Sequence, residues 1–184
     1  MATLPSIASV VAGARFRATM YNAIKSYLDF LIDTPHCSVY NSATTVTCPD
    51  LVVSTLITFD AEVEDTDAMH STVSNTSRVN FVTAGRYELN VFCALPNVAV
   101  VFSKFRVNLR LNSAGSSAGG TSLRTWIMDT PGGTPQDFAA SISRVFAAGD
   151  YVEVFAAQTS GASRVLDGSG PYATGLQARF IGLT

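Results

Sequence analysis

Short runs in which apolar and polar residues alternate fill most of the chain after residue 36. In one of them Phe105, Val107 and Leu109 fall on one side of an extended strand, and the polar residues between them fall on the other. Runs of this kind, rich in Val, Ile, Thr, Phe and Tyr, occupy 38–48, 51–65, 77–83, 86–95, 100–112, 121–130, 137–146, 150–159 and 174–183. Eight or nine short antiparallel strands with no helix between them predict an all-β fold, either a two-sheet sandwich or a barrel.

The segment 18–33 has a helical period instead. Asp33, Thr34 and Pro35 end it, because the residue before a proline is driven out of the helical conformation, and Thr19 is a suitable N-cap. The apolar stripe of this helix must pack against its own domain or against copies in an oligomer, and it is too short to indicate a coiled coil. We therefore expect an N-terminal arm and helix at 1–35 and a β domain at 36–184. The stripe consists of Met20, Ile24, Tyr27, Leu28 and Leu31.

One strand-initiating pattern occurs twice, as "FVTAGRYELNVF" at 81–92 and as "VFAAGDYVEVFA" at 145–156. In each, a glycine without a Cβ permits a sharp turn into the strand, and a tyrosine follows it two positions later. We expect Tyr87 and Tyr151 to occupy core-facing positions of their strands. The repeat therefore indicates architecture rather than chemistry.

The composition is poor in charge. Charged residues make up 14% of the chain, against about 25% in an average soluble domain, and apolar residues make up 47%. We infer that part of the surface is covered by other subunits. With a formal net charge of −2 and only two lysines, the chain lacks the basic patch that binding to nucleic acid or to an anionic membrane requires.

Neither membrane insertion nor export is expected from the sequence. No window approaches the ~20 uninterrupted apolar residues of a membrane-spanning helix. The first residues, "MATLPSIASVVAGARF", lack the basic start of a signal peptide, so we expect a retained arm and synthesis in the cytoplasm.

Three cysteines leave at least one thiol unpaired, and their spacing matches no metal motif. Cys93 lies in an apolar run and is expected to be buried. Cys37 and Cys48 are close enough in the sequence to form a bridge, but without an export signal we favour free thiols.

The acidic segment 62–70 is a candidate metal site. Asp65, Asp67 and His70, with Glu62 and Glu64 before them, offer oxygen and imidazole ligands to a divalent cation. Aspartates in such loops also stabilise turns by accepting hydrogen bonds from nearby backbone N–H groups. We favour the turn interpretation and predict no metal and no cofactor.

The sequence does not predict an enzyme. His70 is followed by Ser71 and His36 by Cys37, but neighbouring residues of a strand point to opposite faces, so neither pair can form a nucleophile and its base. Between a strand and a helix the chain has neither a Gly-x-Ser-x-Gly elbow nor a phosphate-binding loop. We predict a protein without catalytic residues.

Trp126 has two interpretations. With Tyr151 and Tyr172 it could form a stacking platform for a sugar, but packing in the core or at a subunit contact is the interpretation that we favour. Three arginines on predicted strands face either solvent or an ion pair with another subunit: Arg106, Arg110 and Arg124.

Four short motifs follow one another along the chain: Phe81 with Gly85 and Tyr87, Leu109 with Asn112, Gly149 with Asp150 and Val152, and Phe180 with Gly182 and Leu183. Their order and spacing resemble the jelly-roll domain shared by tumour necrosis factor and the globular head of the complement recognition protein. The resemblance covers about residues 55–184 and implies a two-sheet antiparallel jelly-roll sandwich. Members of this superfamily are usually trimers, so it also implies a homotrimer.

A second resemblance rests on the segment "DTDAMHSTVSNTSRVNF" at 65–81 and on a pattern that runs from the N-terminal helix into the first strand. That pattern consists of Gly13, Asn22, Leu28, Phe30, Leu31, Pro35, Cys37, Val39 and Tyr40. Both are similar to a group of small virion proteins of actinobacteriophages, which pair such a helix with this jelly roll. The resemblance implies a non-enzymatic structural component of a virion.

We therefore expect a trimeric capsid decoration or minor capsid protein, made in the host cytoplasm and located in the virion. Its partners would be two further copies and the major capsid protein or tail proteins. The alternative is a minor tail or tail-tip protein that binds host-surface glycan. The residues predicted for the trimer interface are Tyr87, Phe105, Tyr151, Phe155 and Phe180, and those predicted for docking on the capsid or tail are Phe16, Tyr21, Ile24, Leu28 and Leu31.

Overall fold

Two antiparallel β-sheets stack face to face in the computed structural model of the chain, which describes residues 17–43, 46–50, 54–95, 103–130, 136–168 and 174–183. One helix, α1 (Ala18–Ile32), precedes them. The described strands are β1 (His36–Tyr40), β2 (Thr47–Cys48), β3 (Thr55–Leu56), β4 (Ala61–Asp65), β5 (Arg78–Asn80), β6 (Gly85–Leu95), β7 (Ser103–Leu111), β8 (Thr121–Thr130), β9 (Gln136–Phe146), β10 (Tyr151–Gln158), β11 (Arg164–Val165) and β12 (Thr174–Gly182). The prediction of an all-β two-sheet sandwich led by one short helix is confirmed.

We call the two layers sheet I and sheet II. Sheet I has the strand order β4-β1-β12-β6-β9, and sheet II has the order β3-β10-β7-β8, with β5 also paired to β10. β2 and β11 form a separate two-stranded ribbon. The described sheets therefore end at β4 and β9 on the two sides of sheet I and at β8 on one side of sheet II.

Apolar side chains from the facing sides of the two sheets form the core. The alternation predicted for 105–109 is confirmed, because Phe105, Val107 and Leu109 are all buried in the core cluster. From sheet I the core receives the side chains of β6 and β12. The rings of Phe81 and Phe146 stack at one end of this core, with their centroids 3.8 Å apart.

Helix α1 follows the predicted limits closely but begins earlier than expected. Its N-cap is Arg17, in extended conformation and without a side-chain capping bond, so the prediction of Thr19 as N-cap was wrong. The helix ends at Ile32, and the N–H of its C-cap, Asp33, donates to the Asp29 carbonyl oxygen at 2.9 Å. No residue of α1 is buried, and its ring contact with the sandwich joins Phe30 to Phe180, with centroids 5.3 Å apart.

The two strand-initiating patterns differ in three dimensions. Gly85 is required for space, because a Cβ there would overlap the ring of Phe180, whereas Gly149 has φ +92° and open space where a Cβ would lie. Tyr87 is buried in the core as predicted, and its hydroxyl donates to the Thr83 carbonyl oxygen at 2.7 Å. Tyr151 is only half-buried and lies outside the core cluster, because Val152 takes the core-facing position of β10. The prediction for Tyr151 was therefore wrong.

The three cysteines are buried and free. Burial raises the pKa of the Cys48 thiol to about 11, and it also raises the pKa of Cys37 and of Cys93. The free-thiol expectation is confirmed, and the alternative of a Cys37–Cys48 bridge is not observed.

Candidate functional site

Four of the five residues predicted for the trimer interface are covered within a single chain. They are Tyr87, Phe105, Phe155 and Phe180, each less than a tenth exposed, and Tyr151 is half-buried. These four side chains have little free surface to offer a neighbouring subunit, and their interface role stays a prediction. Alternation places Tyr87, Phe105 and Phe180 in the core of their own chain, whereas Phe155 is buried outside the core cluster.

The apolar surface that one chain leaves uncovered lies instead where β8 and β9 end their sheets. Trp126 on β8 and Phe138 on β9 meet across the two sheets, with ring centroids 5.6 Å apart. Side chains around them pack against the core but stay only partly buried, because no further described strand covers them: Leu123, Met128, Ala140 and Ile142. Ile127 and Val145, on the outer sides of the same strands, are about half exposed or more. We call these residues, with Trp126, the β8–β9 edge.

The outer face of sheet I is a second surface with little charge at its centre. Its strand register places Ser38, Gln177, Asn90 and Ser141 side by side in one row across four strands. In the next row the ring of Phe92 lies over Gly175, where a Cβ would be only 2.6 Å from Phe92 Cε2. Tyr40 lies opposite the same glycine on β1. This face therefore combines two aromatic rings with a row of hydroxyl and amide groups.

Helix α1 presents the third surface. Three of the residues predicted for docking, Tyr21, Leu28 and Leu31, are half or more exposed, and Ile24 is half-buried. Phe16 lies outside the described residues. Lys25 Nζ and Asp29 Oδ2 lie 2.6 Å apart and form an ion pair within the helix. The docking role stays a prediction, but these side chains have the free surface that it needs.

One end of the sandwich joins two motifs that are distant in the sequence. The Asn112 amide donates to Asp150 Oδ1 at 2.8 Å, and the Tyr151 N–H donates to Asn112 Oδ1 at 3.0 Å. Asp150 Oδ2 also accepts from the Ala147 N–H at 2.9 Å, which closes the turn into β10. The Leu-x-x-Asn and Gly-Asp-x-Val motifs therefore form one structural unit, which fixes the loop between β7 and β8.

Glu153, which the sequence analysis missed, holds the same loop through hydrogen bonds from Ser113 and Gly115. Its carboxylate is buried and accepts hydrogen bonds from Ser77, Arg78, Ser113 and the Gly115 N–H. Burial opposes its ionisation, but these four donors outweigh burial and hold the pKa of Glu153 below its usual value. A single glutamate between the apolar residues of β10 was the signal that could have identified it.

The acidic segment forms turns, as predicted. Asp65 accepts hydrogen bonds from the N–H groups of Asp67, Met69 and His70, at 3.3, 2.9 and 2.9 Å. Within the described ranges no group of three or more potential ligands is arranged to hold a metal ion. His70 lies beside the carboxylate of Glu62, but its imidazole has no exposed surface. A covered imidazole cannot reach a substrate, so this pair offers no catalytic site.

Trp126 and Arg110 both contact their own chain. Trp126 is half-buried at the β8–β9 edge, and Tyr172 lies outside the described residues, so the sugar platform is not assembled from described side chains. Arg110 donates to the carbonyl oxygens of Gly119 and Gly120, at 2.6 and 3.3 Å. Its guanidinium is therefore engaged in the loop between β7 and β8.

In the part of the chain that the structure describes, no helix is long and apolar enough to cross a membrane.

Comparison with solved structures identifies the fold. The chain is similar to murine APRIL at pH 5.0, with 14% identity, a TM-score of 0.58, and coverage of 80% of this chain and 98% of that one. The globular domain of zebrafish complement 1qA matches with 14% identity, a TM-score of 0.55, and coverage of 82% and 100%. Eiger TNF from S. frugiperda matches with 15% identity, a TM-score of 0.57, and coverage of 82% and 95%. The jelly-roll fold is thereby confirmed.

No protein-family model and no curated protein sequence matches the chain.

Proposed function

We propose that the chain is a non-enzymatic structural subunit that assembles as a homotrimer in a bacteriophage virion, most simply as a capsid decoration or minor capsid protein. The observation that carries the proposal is the β8–β9 edge, an apolar surface that a single chain leaves uncovered. The low charge of the chain supports the same interpretation, because a subunit with covered surfaces needs fewer charges for solubility.

A ring of three copies requires two different surfaces that fit each other. The β8–β9 edge supplies incompletely covered apolar side chains, with Trp126 between the two sheets and Ile127 and Val145 on the outer sides of β8 and β9. The outer face of sheet I supplies a broad surface whose central rows are uncharged and carry the Phe92 and Tyr40 rings. We propose that the edge of each copy packs on the sheet I face of the next, and that the third contact closes the ring.

The assembly is tested with the double substitution Ile127→Asp and Val145→Asp. Both side chains are exposed in one chain, so the fold should survive, whereas two buried aspartates should weaken trimerisation by roughly 30-fold or more. Sedimentation equilibrium of wild type should give three times the chain mass. Val73→Asp, an equally apolar exposed position in the loop 71–75, is the matched control and should leave the trimer intact. A monomeric wild-type protein at micromolar concentration would exclude the proposal.

The virion location is supported by the resemblance of the helix and of segment 65–81, and by the exposed apolar side chains of α1. We propose that Tyr21, Leu28 and Leu31 dock on the shell, where burying each side chain would contribute about 1.5–3 kcal/mol. Binding of the purified protein to phage particles that lack it should saturate for wild type and fail for Leu28→Asp with Leu31→Asp. Electron cryomicroscopy of the particles should then show density on the head, whereas density confined to the tail tip would favour the alternative.

A further inference from the structure

We propose that β4, one edge strand of sheet I, is fastened by a proton-dependent latch in which the chain's two histidines each bond one glutamate of β4, so that this edge loosens as the pH rises above neutral. The pairs are His70 with Glu62 and His36 with Glu64. The inference is independent of the proposed virion function.

A β-bulge places one glutamate on each side of the sheet. Ser38 and Val39 are consecutive on β1, but their partners on β4 are Glu64 and Glu62, so Val63 between them is an extra residue without a register partner. Val39 is buried in the core and Ser38 lies on the outer face. Glutamates two positions apart would normally share a face, and the bulge instead sends Glu62 inward and Glu64 outward.

The inner half of the latch is His70. Its Nδ1 lies 2.8 Å from Glu62 Oε1, and its Nε2 lies 3.2 Å from the Thr76 carbonyl oxygen. A carbonyl oxygen and an ionised carboxylate only accept hydrogen bonds, so both contacts form together only when both ring nitrogens carry hydrogen. The imidazole has no exposed surface, and the ring of Phe59 covers it at a centroid distance of 6.1 Å. Water therefore cannot replace a bond that is lost.

Asp65 is the other charged group at this position. Its Oδ2 accepts from the His70 N–H at 2.9 Å. This bond fixes the backbone of His70 to the last residue of β4.

The outer half is His36. Its Nε2 lies 2.7 Å from Glu64 Oε2, and its Nδ1 lies 3.1 Å from the Thr34 carbonyl oxygen. Thr66 Oγ1 is 3.5 Å from Nδ1 but also has two carbonyl acceptors within reach. The hydrogen bond to Glu64 outweighs partial burial and raises the pKa of His36 above its usual value.

Two further charges border His36. Asp33 favours its protonated form, and Arg179, its register partner on β12, lines the same groove of about 480 Å³. Solvent reaches His36 through this groove, so its proton can exchange without unfolding of the sheet.

Packing contributes little to holding β4 in place. None of its five residues is buried, and within the described sheets it pairs only with β1. Beyond that ladder its side chains attach through the two histidine contacts and through Asp65, which accepts from the N–H groups of residues 67, 69 and 70. Opening the histidine contacts therefore weakens the hold of β4 on β1 and makes the backbone groups of β1 that face β4 more accessible to another strand.

The direction with pH follows from the proton count. The protonated imidazole of His36 holds Glu64, and the pKa of His36 is raised, so this half of the latch is complete below the unfolded histidine value of about 6.5 and is lost as the pH rises through the folded value. We expect the amides of β4 and of residues 66–70 to become less protected against hydrogen exchange as the pH rises. After correction for the intrinsic exchange rate, their protection should fall about tenfold between about pH 5.5 and about pH 8.5. Amides of the β6–β9 ladder should not change.

The double substitution Glu62→Gln and Glu64→Gln tests the mechanism. A glutamine amide can donate to a neutral imidazole, so both contacts persist without the proton and protection should become independent of pH. Glu88→Gln, an exposed glutamate of β6 in the same sheet, is the matched control and should keep the wild-type response. A flat wild-type profile, or an unchanged pH response in the double variant, would overturn the proposal.

Nuclear magnetic resonance of the wild-type protein supplies a second measurement that does not depend on variants. The ring signals of His36 should titrate over the pH range in which β4 loses protection. Titration of this ring outside that range would equally refute the latch.

Discussion

β4 and β9 close the two sides of sheet I, and they differ in length, charge and regularity. β4 has five residues, three of them acidic, and contains a bulge. β9 has eleven residues, pairs with β6 in an unbroken register, and carries small or apolar side chains along its middle. Charges and bulges protect a sheet edge from pairing with other chains, and a long regular edge invites it. The charges and the bulge of β4 therefore oppose association at one side of sheet I, whereas the regular, uncharged middle of β9 does not oppose it at the other.

The largest effect should follow from removing the ring that closes the β9 side. Phe138→Ala deletes a buried side chain in contact with Trp126 and should lower the free energy of unfolding by about 3–5 kcal/mol. Val63→Ala on β4, which is exposed, should change it by less than about 0.5 kcal/mol. Urea denaturation of both variants measures the difference, and equal losses would show that the two edges are not energetically distinct.

The next effect comes from giving β9 the charge of β4. Ala139→Glu with Ser141→Glu adds two carboxylates at exposed positions, which should leave the monomer folded but cost about 2 kcal/mol or more in association if the proposed trimer exists. Analytical ultracentrifugation should then show a shift from trimer to monomer. Ser74→Glu in an exposed loop is the control, and a variant that stays trimeric would place the contact elsewhere.

A smaller effect is expected from Glu153, whose charge is buried rather than placed at a sheet edge. Glu153 has a pKa below its usual value, so its stabilisation is present above the unfolded value of about 4.3 and is lost as the pH falls through the folded one. Glu153→Gln should cost about 1–3 kcal/mol at neutral pH. The cost should shrink in acid, as measured by denaturation at several pH values. Glu88→Gln should show neither effect.

The smallest effect belongs to the outer histidine pair on β4. The pKa of His36 is raised, so its contribution is present below about 6.5 and is lost as the pH rises through the folded value. The pair is partly exposed, so Glu64→Gln should cost less than about 1 kcal/mol at low pH and less again at high pH. Asp29→Asn, which breaks an exposed pair without a histidine, should give a difference that stays constant across this range.

Sequence patterns predicted the local elements well where a single period governed them. The helix stripe predicted α1 to within two residues at each end, and strict alternation identified the core side of β7. The turn function of Asp65 also followed from composition, because aspartate bonds nearby N–H groups in most loops. Each of these depends on neighbours in the chain.

The surfaces could not be predicted in the same way. Phe105 and Trp126 both read as strand residues with large apolar side chains, yet one is in the core and the other at an open edge. Which strand ends a sheet depends on the order of strands in space, and that order joins β12 to β1 and β6 across most of the chain. The interface residues were predicted without knowledge of that order, and four of the five are buried within their own chain.

By itself the sequence determined the all-β class, the leading helix and the core-facing positions of β7, because propensity and alternation are local. Only the tertiary structure decided that β9 is an apolar edge, that Glu153 finds four donors, and that a bulge sends Glu62 and Glu64 to different histidines. The physical reason is that exposure and hydrogen-bond partners are properties of packed neighbours. Such neighbours can lie far apart in the chain, as the 76 positions between Ser77 and Glu153 show.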